Sequence, residues 1–174
     1  MQEIEPSSIA IKMYLQRPRP WTTAVGLGVE GFRYTVAGGS FATHTGVHPS
    51  LLSGHCIQGI LGGCSVFEAI LSTKQTVSTD TKKAIQQYMV DWGDRRVFAG
   101  VHYMTDNVGS WTLARRLIKH LFKYPEEVEE FAVEAITRRS RVFKDIVERF
   151  PPNSPARLLL LRDFKDGIHR VSTT

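Results

Sequence analysis

The chain has 174 residues, 42% of them hydrophobic and 22% charged, with a formal net charge of +5 and a pI near 9.4. That length and balance allow one domain with a real core and exclude a disordered or fibrous chain. The basic excess suits an anionic ligand, but pairs such as Arg115 with Arg116 and Arg138 with Arg139 equally suit solvated helix faces, so charge alone selects no function.

The opening MQEIEPSS lacks the basic and then apolar regions of a secretory signal. Residues 7–16, SSIAIKMYLQ, read as the end of a helix. RPRP stops it, because Pro18 and Pro20 lack a donor and crowd the preceding turn. Residues 21–52 are rich in Gly, Thr and Ser with no sustained period; they read as a long ordered loop with short 3₁₀ turns, and loops of that length in compact domains commonly carry function. Residues 53–72 read as a helix capped by Ser53, and 79–98 as another begun by STDTKKA. A break is expected near Gly100. Segments 105–122 and 126–149 carry apolar residues at helical spacing, the second opening YPEEVEEF with Pro at its first position and acids in its first turn. A helical domain over 1–150 followed by an irregular tail over 151–174 is the expected organisation.

With no repeat, low-complexity tract or hairpin signal, the fold class reads as all-α. The longest apolar run, CIQGILGGCSVFEAIL, is interrupted by Gln58 and Glu68 and falls short of the roughly 20 apolar residues that span a bilayer, so no transmembrane helix is expected. Cys56 and Cys64 lie eight apart on one helix, a rise of about 12 Å, beyond disulfide reach. They read as free thiols, which favours a reducing, cytoplasmic setting without fixing it.

Three short motifs carry the chemistry. In the first, Lys12 is followed seven residues later by Arg19 and Pro20; nearly two helical turns bring both cations to one side. The second is Ser53-Gly54-His55 at a helix start. Free N–H groups there favour an oxyanion, Gly54 permits close approach, Ser53 adds a hydroxyl, and His55 titrates near neutrality. The third runs from Arg96 through His102 to Asp106. The i, i+4 spacing places Asp106 beside His102 on one helical face, where a carboxylate can hold one ring N–H and leave the other nitrogen as nucleophile or ligand. Arg96 joins them only if the chain bends, as Gly100 allows.

Together, K-x6-R-P, S-G-H and R-x5-H-x3-D, each present once and in this order, resemble the type 2 phosphatidic acid phosphatase and vanadium-dependent haloperoxidase superfamily from Lys12 to Gly109. The resemblance implies a helical bundle with an oxyanion site. In it Lys12, Arg19 and Arg96 grip equatorial oxygens, aided by Ser53 and the Gly54 amide; His102 is the apical nucleophile or vanadate ligand, Asp106 orients it, and His55 is the acid/base. Leu52 stands where the family's second motif has Pro, and Arg95 where the third has Ser. Only eleven residues precede Lys12, whereas family members carry several helices there. The bundle is therefore expected to be incomplete at the amino end, with Ile9, Met13 and Leu15 exposed in a monomer and buried in a homo-oligomer or a larger chain.

One such site serves two chemistries, since phosphoryl transfer passes through a five-coordinate arrangement that vanadate adopts as a bound species. The phosphatase reading takes a phosphate monoester, forms a phosphohistidine and needs no cofactor. The haloperoxidase reading takes vanadate as cofactor, with peroxide and halide as substrates. HPSLLSGH resembles the segment of algal vanadium bromoperoxidases in which a histidine, here His48, precedes the acid/base histidine by seven; this tips the sequence reading toward a bromoperoxidase-like enzyme. The short span from His55 to His102 looks instead like compact bacterial acid phosphatases. A basic interaction module without catalysis is the third alternative, and it leaves the three motifs unexplained; no nucleic-acid partner is expected.

Overall fold

The computed structural model describes residues 5–29 and 48–164. Its described elements are eight helices: α1 (Glu5–Leu15), α2 (Pro20–Gly26), α3 (Gly54–Thr73), α4 (Thr79–Phe98), α5 (Met104–Leu121), α6 (Pro125–Arg139), α7 (Arg141–Arg149) and α8 (Pro155–Asp163). The fold class is all-α, as the sequence implies.

Serine caps start half of them. Ser53, Ser78, Ser140 and Ser154 each accept a backbone N–H three residues on, opening α3, α4, α7 and α8. Two of these caps correct the sequence reading. The segment 126–149 is two helices, because Ser140 leaves helical geometry and caps α7. Part of the tail expected to be irregular is α8, begun by Ser154 with Pro155 in the first turn. The expected loop over 21–52 likewise contains most of α2, since Pro20 pre-sets helical φ at a helix start; residues 30–47 of that loop and 165–174 of the tail lie outside the described residues.

The core is built around α3, which packs against α4, α5 and α6. Gly59 lets α4 come close: a Cβ there would stand 2.5 Å from the Met89 carbonyl oxygen and 2.7 Å from Trp92 Cβ, both fixed by their helix. By length and composition α3 could also cross a membrane. In this fold Cys56, Ile57, Ile60, Leu61 and Cys64 of that helix are buried among neighbouring helices. Both cysteines are free thiols. α8 closes the far side through Phe164, which meets Trp111 and Phe143 in a mutually tilted aromatic trio.

Behind the site, Asp94 ties three helices together. Its buried carboxylate accepts from the Ser140 hydroxyl at 2.9 Å, the Arg141 N–H at 2.7 Å, the Val142 N–H at 3.3 Å and Asn107 Nδ2 at 3.3 Å. Burial pushes its pKa up to about 6, against the pull of those hydrogen bonds.

Candidate functional site

The first motif folds as a helix end and a turn. Lys12 lies in the last turn of α1, and Arg19 caps α2 in extended geometry just before Pro20. Lys12 Nζ donates to the Pro49 and Ser50 carbonyls at 2.9 and 3.0 Å. An ammonium has three donors, so one N–H remains for an anion. Arg19 Nε donates to the His48 carbonyl at 2.8 Å, and its Nη1 to the Val101 carbonyl at 2.8 Å. The Ser50 N–H donates to the Arg17 carbonyl at 2.8 Å, and the Ser50 hydroxyl to the Pro18 carbonyl at 3.0 Å, which locks the two chain segments together.

The third motif is brought round by the bend expected at Gly100. α4 ends in a Schellman arrangement: Gly100 takes φ +69°, its N–H donates to the Val97 carbonyl at 2.9 Å, and the Val101 N–H to the Arg96 carbonyl at 3.0 Å. His102 and Asp106 do not share a helical face, contrary to the sequence reading. α5 starts at Met104, so His102 precedes the helix and Asp106 sits in its first turn. The cap joins them: one oxygen of Asp106, Oδ2, accepts from both the Tyr103 N–H and His102 Nδ1 at 3.0 Å.

That bond fixes the imidazole's chemistry. An ionised carboxylate only accepts, so Nδ1 carries the proton and Nε2 holds the lone pair. Nε2 faces Arg19 Nη1 at 3.0 Å. Burial, with help from Arg19 and Lys12, lowers the His102 pKa to about 4 against the pull of Asp106. The ring is therefore neutral near pH 7. Burial and then Arg19 lower Lys12 to about 8, and burial with Arg96 lowers Arg19 to about 10. Arg96 thus lies close enough to act on both cations.

A cavity of about 110 Å³ opens between these segments, lined by Lys12, Arg19, His48, Gly54, His55 and His102. Six of the nine residues singled out from the sequence therefore meet in one space. Asp106 stands behind His102. Ser53 and Arg96 are not among the lining residues. Ser53 is fully buried, its Oγ accepting the Cys56 N–H at 3.3 Å and its own N–H donating to Ser110 at 2.9 Å. His55 packs beside Trp92 with ring centroids 6.1 Å apart.

Two nearby residues escaped the motif reading. Ser8 lines the cavity one helical turn before Lys12, and its Oγ would stand 3.6 Å from a Cβ on Gly54; the i, i+4 relation to Lys12 was the available signal. Arg17 reaches the second oxygen of Asp106, Oδ1, at 2.7 Å. Nothing in its spacing distinguishes it from an exposed arginine.

Four cation or imidazole side chains and a helix amino end around one small cavity can hold a tetrahedral oxyanion against a neutral histidine nitrogen. Among known families, the model of the PAP2 superfamily matches residues 6–130. No curated protein and no solved structure matches the chain.

Proposed function

The chain belongs to the PAP2 superfamily, a family of phosphatases and related enzymes, and from that premise we propose that it hydrolyses phosphate monoesters through a phosphohistidine on His102. The observation that carries this reading is the geometry at His102: Nδ1 lies 3.0 Å from the Asp106 carboxylate and Nε2 faces the cavity cations, while burial favours the neutral ring. A nucleophile needs that lone pair, and burial supplies it across most of the pH range.

In the first step Nε2 attacks phosphorus, the bond from phosphorus to the ester oxygen breaks, and His55 gives its proton to the departing alkoxide. Lys12 and Arg19 neutralise the equatorial oxygens, with Arg96 adding positive potential from nearby. In the second step water attacks the phosphohistidine, His55 takes back a proton, and phosphate leaves with Nε2 restored. Asp106 holds the ring throughout and stabilises the positive charge on phosphorylated imidazole.

One observation favours a second reading, in which the same pocket holds vanadate. His48 lines the cavity together with His55, which is the pair the bromoperoxidase-like sequence reading needs. The donors fit: His102 Nε2 would hold the vanadium, and Lys12 and Arg19 would hold its oxygens. Bound there, vanadate supplies Lewis acidity toward peroxide for halide oxidation. His55 and His48 would then hold or move the peroxide proton. The phosphatase reading ranks first because, among the described residues, His48 hydrogen-bonds through its carbonyl, which accepts from Arg19 Nε, a part that any residue could play.

The test assays one preparation twice, for p-nitrophenyl phosphate hydrolysis and, after loading with orthovanadate, for peroxide-driven bromide oxidation. Hydrolysis with an acid-labile, alkali-stable phosphoryl group on His102 supports the first reading. Bromide oxidation without hydrolysis replaces it with the second.

A further inference from the structure

We propose that Arg17 is a positioning residue for His102, acting through Asp106; the inference rests on the phosphohistidine reading and deepens it. Asp106 is completely buried, and a buried carboxylate is costly unless its lone pairs and charge are met. One oxygen is occupied by His102 and the Tyr103 N–H. The other is met by Arg17 Nη1 at 2.7 Å, the shortest bond this carboxylate makes.

Arg17 is itself held. Its guanidinium lies 4.3 Å over the Tyr103 ring, and the Tyr103 hydroxyl hydrogen-bonds Thr23 of α2 at 2.6 Å. Its carbonyl is pinned by Ser50. Arg17 and Arg19, separated only by Pro18, thus grip opposite ends of one Asp106–His102 pair: Arg17 the outer carboxylate oxygen, Arg19 the outer imidazole nitrogen. Arg17 is not among the residues lining the cavity. Its effect on chemistry runs through the carboxylate plane that sets the ring's tautomer and direction.

A lysine at this place keeps the charge but neither the planar stacking on Tyr103 nor the fork of donors. Removing the side chain leaves Asp106 free to rotate about its remaining bonds. Turnover should fall while ground-state binding, which uses Lys12 and Arg19, stays.

The experiment compares wild type, Arg17→Ala and Arg17→Lys in p-nitrophenyl phosphate kinetics, inorganic phosphate inhibition, and the ¹⁵N spectrum of the His102 ring. Arg17→Ala is expected to lose roughly 10–100-fold in kcat, with KM and phosphate inhibition near wild type, and to recover part of the loss on adding guanidinium. Arg17→Lys should lose less, and it carries the test if the alanine chain does not fold. In the spectrum, the wild-type Nδ1–H tautomer should give way to a mixture in the variants. Wild-type kcat with an unchanged spectrum, or equal loss of kcat and phosphate binding, overturns the inference. Absence of ester hydrolysis in the wild type defeats the phosphatase reading alone; the imidazole spectrum then decides the Arg17 inference.

Discussion

His102 sits between a carboxylate that raises its pKa and two cations that lower it, and burial settles the balance at about 4. His102→Ala should therefore abolish turnover, while Asp106→Asn should keep the ring but lower kcat by at least about tenfold, because an amide can present a donor to Nδ1 and reverse the tautomer. Equal, near-normal rates in both variants would contradict the assigned roles. Lys12 gives a second expectation at this scale. Its pKa, lowered to about 8, means that its charge is lost as pH rises through that value. Affinity for sulfate, whose charge is constant there, should fall across pH 8 in wild type, and Lys12→Arg should move that fall to higher pH; calorimetric titration reads both. Most of the cavity lining was legible at this scale because Lys12, Arg19, His55 and His102 fall into spaced motifs of unlike residue types. Arg17 was not, since its function depends on a carboxylate 89 positions away that only the folded chain brings near.

The helices show where local signals suffice and where they mislead. Ser53 and the STDT stretch mark α3 and α4 as the sequence indicates. Ser140 lies inside a continuous apolar period running through residues 126–149, and its cap becomes legible only in the fold, where Asp94 gathers the Ser140 hydroxyl and the next two N–H groups. Ser154-Pro155 carried a plain helix-start signature, masked by the proline and asparagine around it. His102 and Asp106 have the spacing of a helical pair and the geometry of a helix cap, so the spacing pointed to the right partners for a different reason. Asp94 supplies the prediction at this scale. Its folded pKa near 6 lies above the ordinary 3.8, so the stability it contributes is full below 3.8 and is lost as pH rises toward 6. The melting temperature of wild type minus that of Asp94→Asn should decline from pH 4 to 6 and then level off. A difference that climbs through this window would contradict the burial argument.

At the scale of the molecule, the site is a seam between two parts: the buried bundle of α3 to α8, and the α1–α2 segment that delivers Lys12, Arg17 and Arg19. Met13, Tyr14 and Leu15 on α1, and Val25 and Leu27 at the end of α2, are exposed, Tyr14 by 87%. The Ile9 exposure expected from the sequence is only partial, because that residue turns toward the cavity. These five side chains are each exposed, and we propose that a second copy of the chain covers part of them; sedimentation velocity should then find a dimer or larger species that Tyr14→Glu weakens. A monomer at all concentrations, binding no apolar dye, would contradict this. The central claim, that one cavity holds a tetrahedral oxyanion against the His102 nitrogen, is tested most directly by a crystal structure of the protein with orthovanadate. The account predicts vanadium bonded to Nε2 of His102, with Lys12 and Arg19 on its oxygens and Asp106 still on Nδ1. Vanadate bound elsewhere, or a cavity without vanadate at saturating concentration, would contradict it.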